Sequence, residues 1–221
     1  VAGNFDEKEL LELAEKYFGG MRQGANYTDF PKAGFYKGKA LKYKDIEQTH
    51  LCIGYEAMPQ DSPDIYALAV LNSAFGSGMS SRLFQKIREE KGLAYSVYSA
   101  ADCMKDTGLM LIYAGLSPEN TEMVLEMIMS EIKQLLQGGL ESTEFERGKS
   151  QIKSSYIMGL ESVSGHMNAI GKGLLLQDKV KTSDEVIHGI EAVSEADVQR
   201  VTESIFGGSI ALAIVSPQIE H

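Results

Sequence analysis

The chain has four histidines, His50, His166, His188 and His221, and they are the first residues to test for metal chemistry. Two imidazoles aimed at one ion need a helical spacing such as H-E-x-x-H or H-x-x-E-H. No histidine here has another at either spacing, so the sequence holds no local zinc site of that kind; a site assembled from distant histidines stays open on sequence grounds. His166 lies in an apolar helical stretch, and it, His50 and His188 read as structural side chains. Ser80 and Ser81 follow a glycine turn but lack a G-x-S-x-G elbow, which reads as helix capping and disfavours a serine hydrolase. The run Gly76-Ser77-Gly78 fails as a phosphate loop because it lies between two helical patterns and lacks the Gly-Lys-Ser/Thr ending. Its glycines suit a sharp helix-to-helix turn and would let a peptide backbone come close. Cys52 and Cys103 stand far apart in apolar, strand-like contexts without C-x-x-C spacing, and read as buried free thiols.

Composition narrows the function classes. With 221 residues, 43% of them hydrophobic, the chain is long enough to bury a sizeable core. Its 31 acidic and 21 basic residues leave a formal charge of −10, and Lys and Arg nowhere cluster with aromatics, which excludes nucleic acid as an expected partner. No apolar run approaches the roughly 20 residues of a membrane helix. Two unpaired cysteines fit a reducing, cytoplasmic setting. The chain begins at Val1, and Val1-Ala2-Gly3-Asn4 reads as the end of a strand already under way, so a fragment is expected.

The elements follow from periodicity. Leu10, Leu11, Leu13, Ala14, Tyr17 and Phe18 give an amphipathic helix over 5–18 that stops at Gly19-Gly20. Residues 21–45 have turn residues and no sustained period, which predicts a linker with one short strand. His50–Ala57 is strand-like; a helix starts at Pro63, and a second carries Leu83, Phe84 and Ile87 before Gly92. Residues 93–101 and 109–116 form a predicted antiparallel hairpin. A long helix then runs from Ser117-Pro118-Glu119 to Gly138-Gly139 with a Met stripe read as core, and further helices begin at Thr143, Ser162, Ser183 and Ser194. A last strand covers Ile210–Val215. The expected fold is α+β, a mostly antiparallel sheet with helices packed on one face. The expected division is 1–24 as the tail of a preceding repeat, 25–45 as linker and 46–221 as a second, complete repeat.

One segment is specific. Ser80-Ser81-Arg82-Leu83-Phe84-Gln85-Lys86-Ile87-Arg88-Glu89-Glu90-Lys91-Gly92-Leu93-Ala94-Tyr95-Ser96-Val97 resembles the second repeat of the pitrilysin and mitochondrial-processing-peptidase family of zinc metallopeptidases, where S-R-L-F-x-x-[IL]-R-E-x-x-G-L-[AS]-Y-x-[VI] stands. The resemblance runs from Val1 to Ile214. It implies a clamshell in which two similar repeats enclose a chamber, the first carrying zinc on H-x-x-E-H and the second, this one, carrying no metal ligand and no catalytic residue. It also implies substrate contacts from Arg88 and Tyr95, which match the family's Arg and Tyr pair and would bind a peptide near its scissile bond. Without the resemblance, Arg88 reads as a helix-dipole partner and Tyr95 as strand core.

The resemblance implies a parent zinc endopeptidase, with this chain inactive alone and partnered by a peptide and by the zinc-binding half, whether in one polypeptide or encoded separately. The alternative is a scaffold subunit of the same family that has lost catalysis. In either case the docking face left bare predicts an apolar patch and a homodimer of the isolated chain.

Overall fold

Strand β2 (Thr49–Ala57) alternates Leu51, Ile53 and Tyr55 with His50, Cys52 and Glu56, and the structure buries the first set almost completely. The structure, a computed structural model, describes residues 1–21, 24, 31 and 33–218. The part of the expected linker at 25–30 and 32, and His221, lie outside the described residues.

Five strands form one sheet in the order β1-β5-β2-β4-β3, with β1 Gly38–Tyr43, β3 Ala94–Cys103, β4 Gly108–Leu116 and β5 Ile210–Ser216. Only the β1–β5 pair is parallel; β2–β4, β2–β5 and β3–β4 are antiparallel, so the sheet is mostly antiparallel as the sequence predicts. The sheet begins at Gly38, so residues 38–43 of the expected linker belong to it. Period two divides each strand between two faces. On one face Leu51, Ile53, Tyr55, Val97, Met110, Ile112, Ala114, Leu116 and Ile214 join a single core.

Helices complete that core. Helix α2 (Ile65–Phe75) packs on β3 and against α4 (Ser142–Leu160) and α7 (Glu195–Phe206), and contributes Leu68, Val70, Leu71 and Phe75. Helix α3 (Thr121–Gly138) contributes Val124, Ile128, Ile132 and Leu135, spaced at three and four residues as one face of a helix requires. Each such side chain, fully withdrawn from water, stabilises the fold by roughly 1.5–3 kcal/mol before entropy is counted. Helix starts are capped as their sequences foretell. Thr182 with Glu185 opens α6 (Ser183–Glu191), and Ser194 with Asp197 opens α7, both as reciprocal capping boxes.

Among the described residues, no helix of this core lies on the opposite sheet face. The strand registers set it out in rows: Ser96, Gly115, His50, Val215 and Lys42 in one; Tyr98, Tyr113, Cys52, Ala213 and Ala40 in the next; Ala100, Leu111, Gly54, Ala211 and Gly38 in the third. Small residues toward β1 leave a shallow apolar cavity of about 430 Å³ over Ala40, Cys52, Gly54, Leu111, Ala211 and Ala213.

Helix α1 (Glu7–Phe18) forms behind its Asp6 cap where the sequence predicts a helix, and its Leu11, Leu13, Tyr17 and Phe18 are exposed. Two expectations are corrected. The Met stripe of α3 is only partly core: Met127 packs against it, while Met123 and Met129 are exposed, because the helix spends its buried face on branched residues. Both cysteines are free but only half-buried; Cys52 faces the open side of the sheet. No helix among the described residues is long and apolar enough to cross a membrane.

Candidate functional site

The segment expected to be the second helix turns out to be a π-helix, Phe84–Glu89. Three anchors fix it. Leu83 and Ile87 are wholly buried. Lys86 Nζ reaches both carboxylate oxygens of Glu131 at 2.8 Å. At its entry the buried Arg82 donates through Nε to Glu144 Oε1 at 2.8 Å and through Nη2 to Glu144 Oε2, with a longer bond from Nη2 to the Gly139 carbonyl at 3.4 Å. The Glu141 backbone N–H donates to Glu144 as well, at 3.0 Å. Burial pushes the Glu144 carboxyl up, but the hydrogen bonds and charge of Arg82, the Glu141 amide and the charge of Arg147 outweigh it and hold the group below its ordinary 4.5.

The wide turn ends with Glu90 N–H on the Gln85 carbonyl at 2.9 Å. Gly92 N–H then bonds the Arg88 carbonyl at 3.1 Å and Leu93 N–H the Ile87 carbonyl at 3.0 Å, with Gly92 at φ +64°. Arg88 is therefore the last turn's outward side chain. It is exposed, and its guanidinium lies 4.9 Å from the centre of the Phe84 ring.

Strand β3 starts immediately afterwards at the sheet's edge. Ala94 pairs with Leu116 and Ser96 with Gly115, so Tyr95 is the extra residue of a β-bulge. A bulge turns a side chain away from the regular alternation. Tyr95, which alternation alone would assign to strand core, is 58% exposed, and its hydroxyl lies 3.0 Å from Ser117 Oγ. The structure thus places Arg88 and Tyr95 on either side of one tight turn, both in solvent.

The other residues weighed from sequence have structural roles. Ser81 Oγ donates to the Gly78 carbonyl at 2.6 Å and closes the glycine turn rather than capping a helix. Gly76 is needed for close approach: a Cβ there would stand 2.3 Å from Ser99 Oγ and 2.5 Å from its backbone nitrogen. His50 Nδ1 pairs with Tyr113 Oη at 2.7 Å, while His166 and His188 are exposed on α5 (Val163–Gln177) and α6. Among the described residues no group of three or more His, Cys, Asp or Glu could hold a metal ion. The donor set of the described residues does not fit a zinc site. Sequence reasoning missed Glu144 and Ser117, the partners of Arg82 and Tyr95, because pairs 62 and 22 residues apart leave no trace in local spacing.

A mostly antiparallel sheet with helices packed on one face defines an α+β domain. Residues 1–152 match the family description "Peptidase M16 inactive domain", and the chain belongs to the peptidase M16 family as its inactive, C-terminal domain. It is 38% identical over 217 residues to the "uncharacterized zinc protease YmxG" of Bacillus subtilis, covering 98% of this chain and 53% of that protein. It is 34% identical over 218 residues to an "uncharacterized zinc protease" of Rickettsia bellii, covering 98% of this chain and 52% of that one. The chain thus spans about half the length of the curated relatives it matches. Among solved structures, the fold is shared with a peptidase M16 inactive domain from Pseudomonas fluorescens, at TM-score 0.86 and 17% identity over 99% of this chain and 53% of that one. It is shared equally with a protease from Helicobacter pylori, at TM-score 0.85 and 23% identity over 98% of this chain and 54% of that one.

Proposed function

We propose that this chain is the substrate-holding half of a two-half zinc endopeptidase, in which Arg88 and Tyr95 contact a peptide whose cleavage is carried out by a zinc site in the other half. The observation that carries the reading is the presentation of these two side chains. A π-helix held by two ion pairs and a β-bulge at a sheet edge turn both outward, where neither adds to the core. Arg88 suits a peptide carbonyl or carboxylate, and the Tyr95 hydroxyl suits an oxyanion or a backbone amide. The family membership and the zinc-protease names of the relatives support the parent activity. Residues 1–24 then belong to the preceding repeat, with α1 offering its exposed apolar side chains to it. The free thiols fit a cytoplasmic setting.

Hydrolysis of a fluorogenic peptide with zinc, by this chain alone and mixed with the zinc-binding half, tests the proposal. Activity only in the mixture, lost in Arg88→Ala or Tyr95→Phe, is the expected result; activity of this chain alone overturns it. A folded, complexed mixture without activity returns the scaffold reading. Light scattering of the isolated chain tests the homodimer expected from its bare apolar surfaces.

A further inference from the structure

Ser117 stands where a helix begins and does not cap it. Strand β4 ends at Leu116, and a single 3₁₀ turn, Pro118–Asn120, leads into α3. A serine at such a position ordinarily accepts a backbone N–H from the first helical turn. Ser162, Thr182 and Ser194 do so at the starts of α5, α6 and α7. Ser117 makes no such bond. Its hydroxyl is turned instead to the hydroxyl of Tyr95, the bulged residue of β3, at 3.0 Å.

The two partners differ in how firmly they are held. Leu116 is fully buried and pairs with Thr49 of β2 and Ala94 of β3. Just beyond it, the Ser117 carbonyl accepts the Asn120 N–H at 3.0 Å, and Thr121 Oγ1 donates to the Pro118 carbonyl at 2.7 Å. The Pro118 ring also fixes its own φ. Ser117 is therefore anchored at a rigid end of the sheet. Tyr95 is 58% exposed, and among the described residues the one hydrogen bond of its hydroxyl is to Ser117. Without that bond the exposed ring would sample several rotamers, and a peptide would have to order it on binding, at an entropic cost.

We infer that Ser117 is a positioning residue for Tyr95, holding its hydroxyl in the orientation that meets a bound peptide. The inference deepens the proposed function and rests on its assignment of Tyr95 to the peptide. Each of the two hydroxyls has one proton to give and lone pairs to accept. With a peptide carbonyl in place, Tyr95 donates to the peptide and Ser117 donates to Tyr95 Oη, so that each bond polarises the next. A peptide N–H reverses the chain: Tyr95 accepts it and donates to Ser117.

The test is turnover of a fluorogenic peptide by the two assembled halves with zinc, for the native chain, Ser117→Ala, Ser117→Thr, Tyr95→Phe and the Ser117→Ala, Tyr95→Phe double variant. Ser117→Ala is expected to lower kcat/KM about fivefold, the worth of one exposed hydrogen bond. Ser117→Thr keeps the hydroxyl and should restore native turnover. In the Tyr95→Phe background Ser117→Ala should cost nothing more, since the bond is already gone. In the isolated chain Ser117→Ala should leave the urea midpoint unchanged, because the side chain caps nothing. The side-chain order parameter of Tyr95, from carbon-13 relaxation, should fall in Ser117→Ala and not in Ser117→Thr.

Native turnover in Ser117→Ala beside a lowered one in Tyr95→Phe overturns the positioning role and leaves the substrate clamp standing. An equal loss from Ser117→Ala in both backgrounds, or an unchanged Tyr95 order parameter, overturns it as well. No turnover by the native assembly, or none lost in Tyr95→Phe, removes Tyr95 from the clamp and the inference with it.

Discussion

Arg82 and Glu144 stand 62 residues apart in sequence and meet in the interior, where the guanidinium forks onto both carboxylate oxygens. The pair ties the entrance of the π-helix to the first turn of α4. Glu144 also completes that helix's capping box with Glu141. Removing one partner would leave a buried charge uncompensated, at a cost of about 3–5 kcal/mol.

Arg82→Met should therefore lower the urea midpoint of unfolding sharply, whereas Arg82→Met with Glu144→Leu should recover most of the loss. The same pair predicts a pH dependence. Because Glu144 sits below its ordinary 4.5 in the folded chain, its stabilisation is present above that value and is lost as pH falls through the folded pKa. The native chain should lose stability more steeply below about pH 4.5 than the double variant, as equilibrium unfolding at a series of pH values would show.

Asp197 offers a titration at the surface. The Ser194 hydroxyl and backbone N–H, with Arg200, pull its carboxyl down to about 2 from 3.8. Carboxyl-carbon NMR should show it ionised well below the other surface aspartates, and Ser194→Ala should return it toward 3.8. In the native chain this contribution is present above 3.8 and fades as pH falls through 2.

Gly76→Ala should destabilise because of what its side chain would meet. The new Cβ would drive into the Ser99 nitrogen, which bonds the Gly76 carbonyl at 3.0 Å. A loss of about 1–3 kcal/mol is expected from such overpacking, read from thermal or urea unfolding. Ala at Gly138, at the end of α3, where a Cβ meets nothing, should cost no more than a few tenths.

Arg88→Ala and Tyr95→Phe should leave stability within about 0.5 kcal/mol of the native chain, since both side chains are exposed. Their effect should be confined to peptide turnover by the assembled halves, with a loss of at least tenfold for either. A large stability loss with unchanged turnover would make them structural instead.

The elements were legible because they are written locally. The Val124, Ile128, Ile132 and Leu135 stripe, the Ser194 box and the alternation of Leu51, Ile53 and Tyr55 each lie within a turn or two of chain. The Met stripe misled the same reasoning, because periodicity shows that a face is apolar and not whether anything packs on it. The π-helix was also out of reach: it is accompanied by buried Leu83 and Ile87 and by two long-range ion pairs, and its sequence spacing does not differ visibly from that of an α-helix.

By itself the sequence determined the α+β class, the family through the Arg82-to-Val97 motif, and the lack of any paired-histidine motif, since all three depend on residues near one another in the chain. Only the tertiary structure decided that Tyr95 is bulged outward, that Arg82 answers Glu144, and that Ser96, Tyr113 and Gln48 close over Gly115. Strand register and side-chain pairing across tens of residues are set by which surfaces bury one another, and that is a property of the folded whole.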